Sequence, residues 1–247
     1  MTKELHIAHL YPDVLNLYGD CGDITALKKR LEWRGMGCTV TEKPIGAEID
    51  FDAYDLYIIG GGQDFEQTLL LEDLKGAKAD GIRSAVEDGK TFLCICGGFQ
   101  LMGHWYETAD GVRCEYLGAA DFVTVGSHDR LIGNYAFRLG ERDGGSLVMG
   151  FENHGGRTEL GAGAEPLGTV LAGYGNNGRD GTEGVRYRNL FGTYCHGPAL
   201  PKNPLFCDLL LSTALERKYG DGTLEPLDDA AELAAQRTML ERLGIRG

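Results

Sequence analysis

Residues 92–103 constrain the fold of this chain more than any other segment. They read Phe-Leu-Cys-Ile-Cys-Gly-Gly-Phe-Gln-Leu-Met-Gly, so an apolar strand ends at Cys96, two glycines follow, and a helical apolar pattern begins. This order predicts a nucleophile elbow, the tight strand-to-helix turn that lifts one side chain above a sheet. A helix N-terminus lowers the pKa of a thiol, and its first amides can hold an oxyanion. The alternative is that Cys96 is a buried core thiol beside a glycine turn.

The first half of the chain alternates between strand-like and helix-like segments. The predicted strands are 5–10, 38–41, 54–59 and 91–95, and the predicted helices are 23–33, 66–74, 77–87 and 98–105. Such alternation predicts an α/β fold with a parallel sheet covered on both faces. Ligands of such sheets bind at the carboxyl ends of the strands, where the elbow lies.

The second half of the chain has a different composition. Between residues 112 and 195 it is rich in glycine and in β-forming residues, and we expect it to be dominated by strands. The predicted segments are strands at 121–125, 135–139, 168–171 and 190–195, a loop at 175–184, and helices at 204–219 and 226–243. Because no linker divides the chain, we predict one domain over 1–247, with a core at about 5–220.

Charge and cysteine content narrow the possible functions. The net charge is −13, which disfavours binding to nucleic-acid phosphates or to anionic membrane surfaces. No apolar run reaches the ~18 residues needed to span a membrane, and no signal-peptide pattern opens the chain. Seven scattered cysteines fit a reduced protein, so we expect a cytoplasmic location. No His/Cys set has the spacing of a metal site, and we expect neither a metal nor a cofactor.

A thiolate nucleophile needs an imidazole as its general base and acid. His196 follows a strand-like run and precedes a turn that contains Gly197 and Pro198. His154 lies in a polar cluster flanked by glycines and is a second candidate. From these residues alone either histidine could face a cleft, and His196 could equally be an ordinary turn residue.

Several motifs resemble those of a known superfamily. Residues 96–100, Cys-Gly-Gly-Phe-Gln, resemble the C-x-G-x-Q core of class I glutamine amidotransferases, and residues 58–64, Ile-Ile-Gly-Gly-Gly-Gln-Asp, resemble their oxyanion strand. His196 follows Cys96 by about a hundred residues, as in that superfamily. The chain is most similar to the CobB/CobQ-like branch, and within it to the glutaminase subunits of lipid II isoglutaminyl synthases, at residues 10–20, 60–64, 130–134, 150–158 and 192–198.

This resemblance implies a three-layer, flavodoxin-like domain with a mostly parallel central sheet. It implies that Cys96 is the nucleophile and that His196 is its base. It also implies that Arg130 binds the substrate L-glutamine, which suits a guanidinium because it can pair with the α-carboxylate in bidentate fashion. Backbone amides of three glycines would form the oxyanion hole: Gly61, Gly62 and Gly97.

Two positions depart from the family pattern. Cys94 stands where many members have glycine, and we interpret it as a strand residue packed in the core. Pro198 stands where many members carry a glutamate two residues after the histidine. A Cys–His dyad could suffice, or an acid from elsewhere could orient His196. We hypothesise that a partner subunit donates this acid, and then the isolated chain would hydrolyse glutamine weakly.

The resemblance also implies a partner. The chain has no G-x-x-x-x-G-K-[ST] phosphate loop, whereas forming an amide from a carboxylate requires activation, so we expect an ATP-using subunit. The family implies a Mur-ligase-like subunit, MurT, which amidates D-glutamate of the lipid II stem peptide to D-isoglutamine during peptidoglycan synthesis. This chain would then hydrolyse glutamine to glutamate and deliver the ammonia.

Three other functions stay open at this stage. The chain could be the amidotransferase component of a cobyrinate-type a,c-diamide synthase, although those usually carry a fused ATP-binding domain, which 247 residues do not accommodate. It could be a catalytically silent scaffold subunit, which the presence of the expected site residues disfavours. A free-standing cysteine hydrolase is the third possibility, and nothing independent supports it.

Overall fold

The computed structural model describes residues 2–62 and 64–245, so Gln63 of the oxyanion motif lies outside the described residues. Within them the chain forms two β-sheets with helices packed around them. The strands are β1 (Glu4–Leu10), β2 (Gly37–Lys43), β3 (Leu56–Ile59), β4 (Thr91–Ile95), β5 (Trp105–Glu107), β6 (Arg113–Glu115), β7 (Phe122–Leu139), β8 (Leu147–Leu160), β9 (Gly168–Ala172), β10 (Thr182–Glu183), β11 (Val185–Tyr187) and β12 (Leu190–Thr193).

The first sheet has the strand order β11-β12-β4-β3-β1-β2. Five of these strands are parallel to one another, and β11 runs antiparallel at one edge. The central strands β3 and β4 are buried along their whole length, which explains why they are continuous apolar runs. The predicted mostly parallel sheet is confirmed, and the carboxyl ends of β3, β4 and β12 meet at one edge.

Six α-helices lie in the described part of the chain: α1 (Cys21–Trp33), α2 (Asp64–Asp73), α3 (Ala77–Glu87), α4 (Gly97–Leu101), α5 (Pro204–Tyr219) and α6 (Ala230–Arg242). The bounds of α3 and α5 match the prediction. The predicted helix 98–105 is wrong in its second half, because α4 ends at Leu101 and β5 begins at Trp105. Gly103 lies between them against Phe122, where even a Cβ atom would lie 2.6 Å from the ring. The C-terminal helix begins four residues later than predicted.

The second half of the chain is dominated by strands, as predicted, but these strands form a sheet of their own. Its order is β10-β9-β7-β5-β6, with β8 paired to β7. β7 is 18 residues long and joins two segments that the sequence indicated as separate strands. It pairs antiparallel with β8, and the register shifts between Gly126 and Leu131. The sequence did not predict that these strands form a second sheet, and it did not predict β8.

The two sheets are joined at His196, just beyond the end of β12. Its backbone N–H donates to the carbonyl of Phe151 on β8 at 2.8 Å, and the Phe151 N–H donates back at 3.2 Å. Nearby, the Glu183 carboxylate of β10 accepts hydrogen bonds from the Thr193 hydroxyl at 2.6 Å and from the Tyr194 N–H at 3.0 Å. One cluster of buried hydrophobic residues extends across both sheets. The backbone that carries His196 is thus fixed from both sides.

Candidate active site

The predicted elbow is present between β4 and α4. Cys96 has φ +50° and ψ −105°, a left-handed backbone that a residue with a Cβ rarely adopts. The turn is tight because Gly98 lies against the carbonyl oxygens of Ile59 and Gly60, where an added Cβ would come within 2.5 and 2.7 Å. A larger residue at position 98 would push the elbow away from β3. The sharp turn directs the Cys96 side chain away from the strand and towards the edge of the sheet.

The Cys96 residue differs from the other buried cysteines in its surroundings. It is 8% exposed, whereas Cys94, Cys195 and Cys207 have no exposed surface. Burial raises the pKa of each of these three thiols well above its ordinary value, so they remain protonated at neutral pH. The interpretation of Cys94 as a packed strand residue is confirmed. These three thiols are therefore unsuited to act as nucleophiles.

Three of the predicted site residues converge above the edge of the first sheet. A Cβ placed on Gly61 would lie 2.6 Å from Cε1 of His196 and 3.5 Å from Cβ of Cys96. The imidazole is buried, with only 1% of its side chain exposed. The ends of β3, β4 and β12 thus bring a glycine turn, a thiol and an imidazole into contact.

The charge state of His196 follows from its neighbours. Burial acts to lower the pKa of its imidazole, but Cys96 and the Asp20 carboxylate act in the opposite direction and together raise it to about 10. The ring is therefore an imidazolium at neutral pH. A thiol in contact with an imidazolium has a proton donor beside it, as a cysteine-dependent acyl transfer requires.

The sequence reasoning missed the carboxylate behind this imidazole. Asp20 precedes α1 and is fully buried. Its Oδ1 lies 3.4 Å from Nδ1 of His196, and its Oδ2 accepts a hydrogen bond from the Gly61 N–H at 2.6 Å. Asp20 lies inside one of the family-like motifs, residues 10–20, but the sequence carries no signal that pairs it with a histidine 176 positions away.

The three glycines proposed for the oxyanion hole have different surroundings. The Gly61 N–H already has an acceptor in Asp20, so it is a poor choice as an oxyanion donor in this arrangement. Gly62 is the next residue of the same buried turn. Gly97 is the first residue of α4, where backbone amides have no acceptor within the helix. We retain Gly62 and Gly97 as the proposed donors.

Arg130 lies on the second sheet, at the register shift between β7 and β8. Its side chain is exposed, and its Nε and Nη2 atoms donate to the side-chain and backbone oxygens of Asn153, each at 2.8 Å. The neighbouring Gly156 of β8 packs against Gln100 of the elbow helix. Asn153 therefore fixes the Arg130 side chain beside β8, the strand that contacts the elbow helix. The described hydrogen bonds of Arg130 do not include Cys96 or His196.

His154, the second candidate base, is part of the packing beneath the site. Its ring stacks on Tyr194 at 3.6 Å between centroids, and Nδ1 lies 3.0 Å from the Gly156 carbonyl. Burial lowers the pKa of His154 despite the nearby Glu152 carboxylate, so the ring is neutral. Its position supports Tyr194, which immediately precedes the segment that carries His196.

A family model for CobB/CobQ-like glutamine amidotransferase domains matches residues 6–204. The chain belongs to the CobB/CobQ-like glutamine amidotransferase family. Its resemblance to that family, noted from the sequence, is thereby confirmed.

Two curated relatives of this amidotransferase carry the same name. Subunit GatD of the glutamine-hydrolyzing lipid II isoglutaminyl synthase from Staphylococcus aureus (strain N315) is 44% identical over 239 residues, which cover 97% of this chain and 96% of that protein. The Streptococcus pneumoniae subunit GatD is 42% identical over 88% of this chain and 83% of that protein. Cobyric acid synthase from Pelotomaculum thermopropionicum is 32% identical over 90% of this chain, but this match covers only 42% of that protein.

Solved structures agree on the fold of this amidotransferase. PurLQS from Thermotoga maritima aligns with a TM-score of 0.52 at 17% identity, over 87% of this chain and 99% of that chain. A glutamine amidotransferase from Thermotoga maritima aligns with a TM-score of 0.51 at 15% identity, over 97% and 90% of the two chains. At these identities the likeness concerns the fold alone, and it confirms the predicted α/β amidotransferase class.

Neither a metal-binding group nor a membrane-spanning helix is found in residues 2–62 and 64–245. No group of three or more His, Cys, Asp or Glu side chains there is placed to hold a metal ion. Among the helices described, none combines the length and the apolar character of a membrane-spanning segment.

Proposed function

We propose that this protein is the glutaminase subunit of a lipid II isoglutaminyl synthase. It hydrolyses L-glutamine to glutamate and ammonia, and it passes the ammonia to a MurT-like, ATP-dependent Mur-ligase subunit in a heterodimer. That partner amidates D-glutamate of lipid II to D-isoglutamine in the cytoplasm. The proposal is carried by the contact of Cys96 and His196 at the glycine turn, in a chain 44% identical over nearly its whole length to a GatD subunit.

The proposed reaction uses the contact between Cys96 and His196. The Cys96 thiolate attacks the side-chain amide carbon of glutamine, and the amides of Gly62 and Gly97 stabilise the resulting oxyanion. The His196 imidazolium gives its proton to the leaving nitrogen, so ammonia departs and a γ-glutamyl thioester remains. The neutral imidazole then takes a proton from water, the hydroxide attacks the thioester, and glutamate leaves with the ion pair restored.

Arg130 has a separate role in this proposal. Its guanidinium binds the α-carboxylate of glutamine, and its contacts with Asn153 fix its direction before substrate arrives. Preorganisation of this kind lowers the entropy lost on binding. Arg130 therefore selects the substrate, while Cys96 and His196 carry out the chemistry.

The relatives favour this function over that of a cobyrinate-type diamide synthase. The cobyric acid synthases match at lower identity, and the chain spans less than half the length of those from Pelotomaculum thermopropionicum and Methanothermobacter thermautotrophicus. The GatD subunits match over most of both chains. The amidotransferase of a cofactor synthase remains the alternative that the partner experiment tests.

The test is to co-express the chain with a Mur-ligase-like subunit and to assay the purified complex with lipid II, ATP and glutamine. We expect amidation of the stem peptide, detected by mass spectrometry, with nitrogen from amide-¹⁵N glutamine in the product. A Cys96→Ser complex should lose glutamine-dependent amidation and should still use ammonium chloride. Cys94→Ser, a change two residues earlier that points into the core, is the matched control and should retain glutamine use. A complex that fails to amidate lipid II with either nitrogen source contradicts the proposal.

A further inference from the structure

Asp20 is a buried carboxylate with an unusual pair of neighbours. It has no exposed surface, and within the described residues its ion-pair partner is His196 rather than a lysine or an arginine. Burying a carboxylate without compensation is unfavourable by several kcal/mol. Here the compensation comes from an imidazolium at one oxygen and from the Gly61 amide at the other. Both neighbours belong to the candidate active site.

The two oxygens of this carboxylate act on two different parts of the site. Oδ1 faces Nδ1 of His196, so the Nδ1 proton points to Asp20 and Nε2 is the ring nitrogen left for the Cys96 thiol. Oδ2 holds the Gly61 N–H and so fixes the glycine turn against the ring. The Leu17 N–H donates to the carbonyl of Gly61 at 3.0 Å, so the loop before α1 holds this turn from both its donor and its acceptor side.

The acid at the usual family position is missing in this chain. Pro198 stands two residues after His196, has no carboxylate, and instead offers its carbonyl to Lys202 at 2.9 Å. Asp20 reaches the same ring nitrogen from a loop 176 positions earlier in the chain. A carboxylate in position to orient the imidazole, which we hypothesise from the sequence to come from a partner subunit, is thus present within this chain.

We propose that Asp20 is a positioning residue that holds His196 in the tautomer and orientation required for glutamine hydrolysis, and that it couples the ring to the Gly61 turn. This inference rests on the proposed glutaminase function. Asp20 touches neither the substrate nor the reacting atoms, and it acts through the imidazole, as the acid does in hydrolytic triads. The glutaminase site is then complete without an acid from the partner.

Asp23 provides a matched control on the same stretch of chain. Its carboxylate is also fully buried and also accepts a backbone N–H, that of Leu200, at 2.6 Å. It makes no described hydrogen bond with His196. Burial raises the pKa of Asp23 to about 7. Asp20→Asn and Asp23→Asn therefore make the same change of side chain at two buried carboxyl groups, only one of which faces the imidazole.

The experiment compares the wild-type, Asp20→Asn and Asp23→Asn subunits, each in complex with the ligase subunit. For Asp20→Asn we expect kcat for glutamine hydrolysis to fall by ~100-fold or more with little change in KM, and ammonia-dependent amidation to persist. Asp23→Asn should stay within about threefold of wild type in kcat, with any effect confined to the unfolding temperature. Wild-type kcat in Asp20→Asn overturns the inference, as does an equal fall in both variants.

The pH profile separates a positioning role from a merely structural one. The groups that act on the imidazole are Cys96 from the elbow and Asp20 from the loop before α1, while the Lys202 amine binds the Gly197 carbonyl next to the ring. Removing the Asp20 charge weakens the hold on the imidazolium proton. The alkaline limb of kcat/KM should therefore move to lower pH in Asp20→Asn and stay in place in Asp23→Asn. An unmoved limb in Asp20→Asn counts against the inference.

A measurement on the wild-type protein keeps the test decisive if Asp20→Asn does not fold. In a ¹⁵N-histidine-labelled sample, the signal that disappears in His196→Gln identifies the ring. We expect its Nδ1 to remain protonated above pH 8, whereas a bare Nδ1 overturns the inference. Wild-type complex that does not hydrolyse glutamine at all refutes the proposed function instead, so the two failures are distinct.

Discussion

In the first sheet, β3 and β4 are parallel and wholly buried, and they end with β12 at one edge. In the second sheet, β7 and β8 form a long antiparallel pair with a register shift, and many β7 side chains are exposed. The first sheet carries the candidate thiol and imidazole, and the second carries the proposed substrate contact, Arg130. The candidate catalytic residues thus follow β4 and β12, two strands that are paired on both sides. The proposed recognition of substrate lies on a strand that solvent, and therefore ligand, can reach.

The largest effect should come from adding one methyl group to the elbow. In Gly98→Ala the new Cβ would meet two backbone carbonyl oxygens of the β3 segment at 2.5 and 2.7 Å, and neither can move alone. We expect a loss of about 2 kcal/mol in the free energy of unfolding and a fall of ~100-fold in glutaminase kcat, since the nucleophile shifts. Chemical denaturation and an ammonia-release assay measure both.

The matched change in the second sheet is Gly133→Ala on β7. A Cβ there would have no heavy atom within 4 Å, so we expect unchanged stability and activity. If both glycine variants behave alike, the contrast between a rigid and a tolerant sheet is wrong.

A smaller effect, confined to substrate binding, is expected from Arg130→Gln. Loss of the guanidinium removes a charge-assisted contact with the α-carboxylate, and we expect KM for glutamine to rise by ~10–100-fold with a smaller change in kcat. Arg138→Gln is the control, because Arg138 is an exposed arginine of the same strand that binds only the Gly145 carbonyl among its described hydrogen bonds. Steady-state kinetics over a wide glutamine range checks both. An Arg130→Gln enzyme with normal KM would assign substrate recognition elsewhere.

The smallest effect on glutamine hydrolysis is expected at the junction between the sheets, where pH changes the stability of the fold instead. Burial raises the pKa of Glu183 to about 7, although its hydrogen bonds from the Thr193 hydroxyl and the Tyr194 N–H oppose the shift. Because the folded-state pKa exceeds the unfolded value, the stability from this group is complete below about pH 4.5 and is lost as pH rises through about 7. This loss amounts to about 3 kcal/mol at most, or several degrees in Tm.

The corresponding measurement is Tm against pH for wild type and Glu183→Gln. We expect the stability of wild type relative to the variant to decline between about pH 5 and pH 7. Glu159→Gln, which removes an exposed carboxylate of β8 paired with Arg179, serves as the control and should leave the wild-type profile unchanged. If Tm depends on pH in the same way in wild type and in Glu183→Gln, the ionisation of Glu183 does not affect the stability of the junction.

Local sequence patterns predict the first sheet well and the second poorly. The runs that form β1, β3 and β4 are short, apolar and bounded by glycine or polar residues, so their burial can be inferred from a few neighbouring positions. β8 contains three glycines and several polar residues, and it is a strand because β7 pairs with it. A local sequence pattern does not reveal which strand β8 pairs with.

The same distinction applies within the site. Cys96 could be predicted because the elbow is a contiguous motif. His196 needed the family resemblance, since the residues around it also suit an ordinary turn. Asp20 was missed because its contact with the imidazole depends on how α1 packs against the sheet, and no local pattern records that packing.

The order of the site along the chain has a consequence for biosynthesis. The thiol at position 96 is translated long before the imidazole at 196, and β12 must dock beside β4 after the whole second sheet has been made. Until that last parallel strand docks, the nascent polypeptide lacks the proposed base beside the proposed nucleophile. In the proposed mechanism, glutamine consumption therefore begins only when folding is nearly finished, and incomplete chains released from the ribosome would not waste cellular nitrogen.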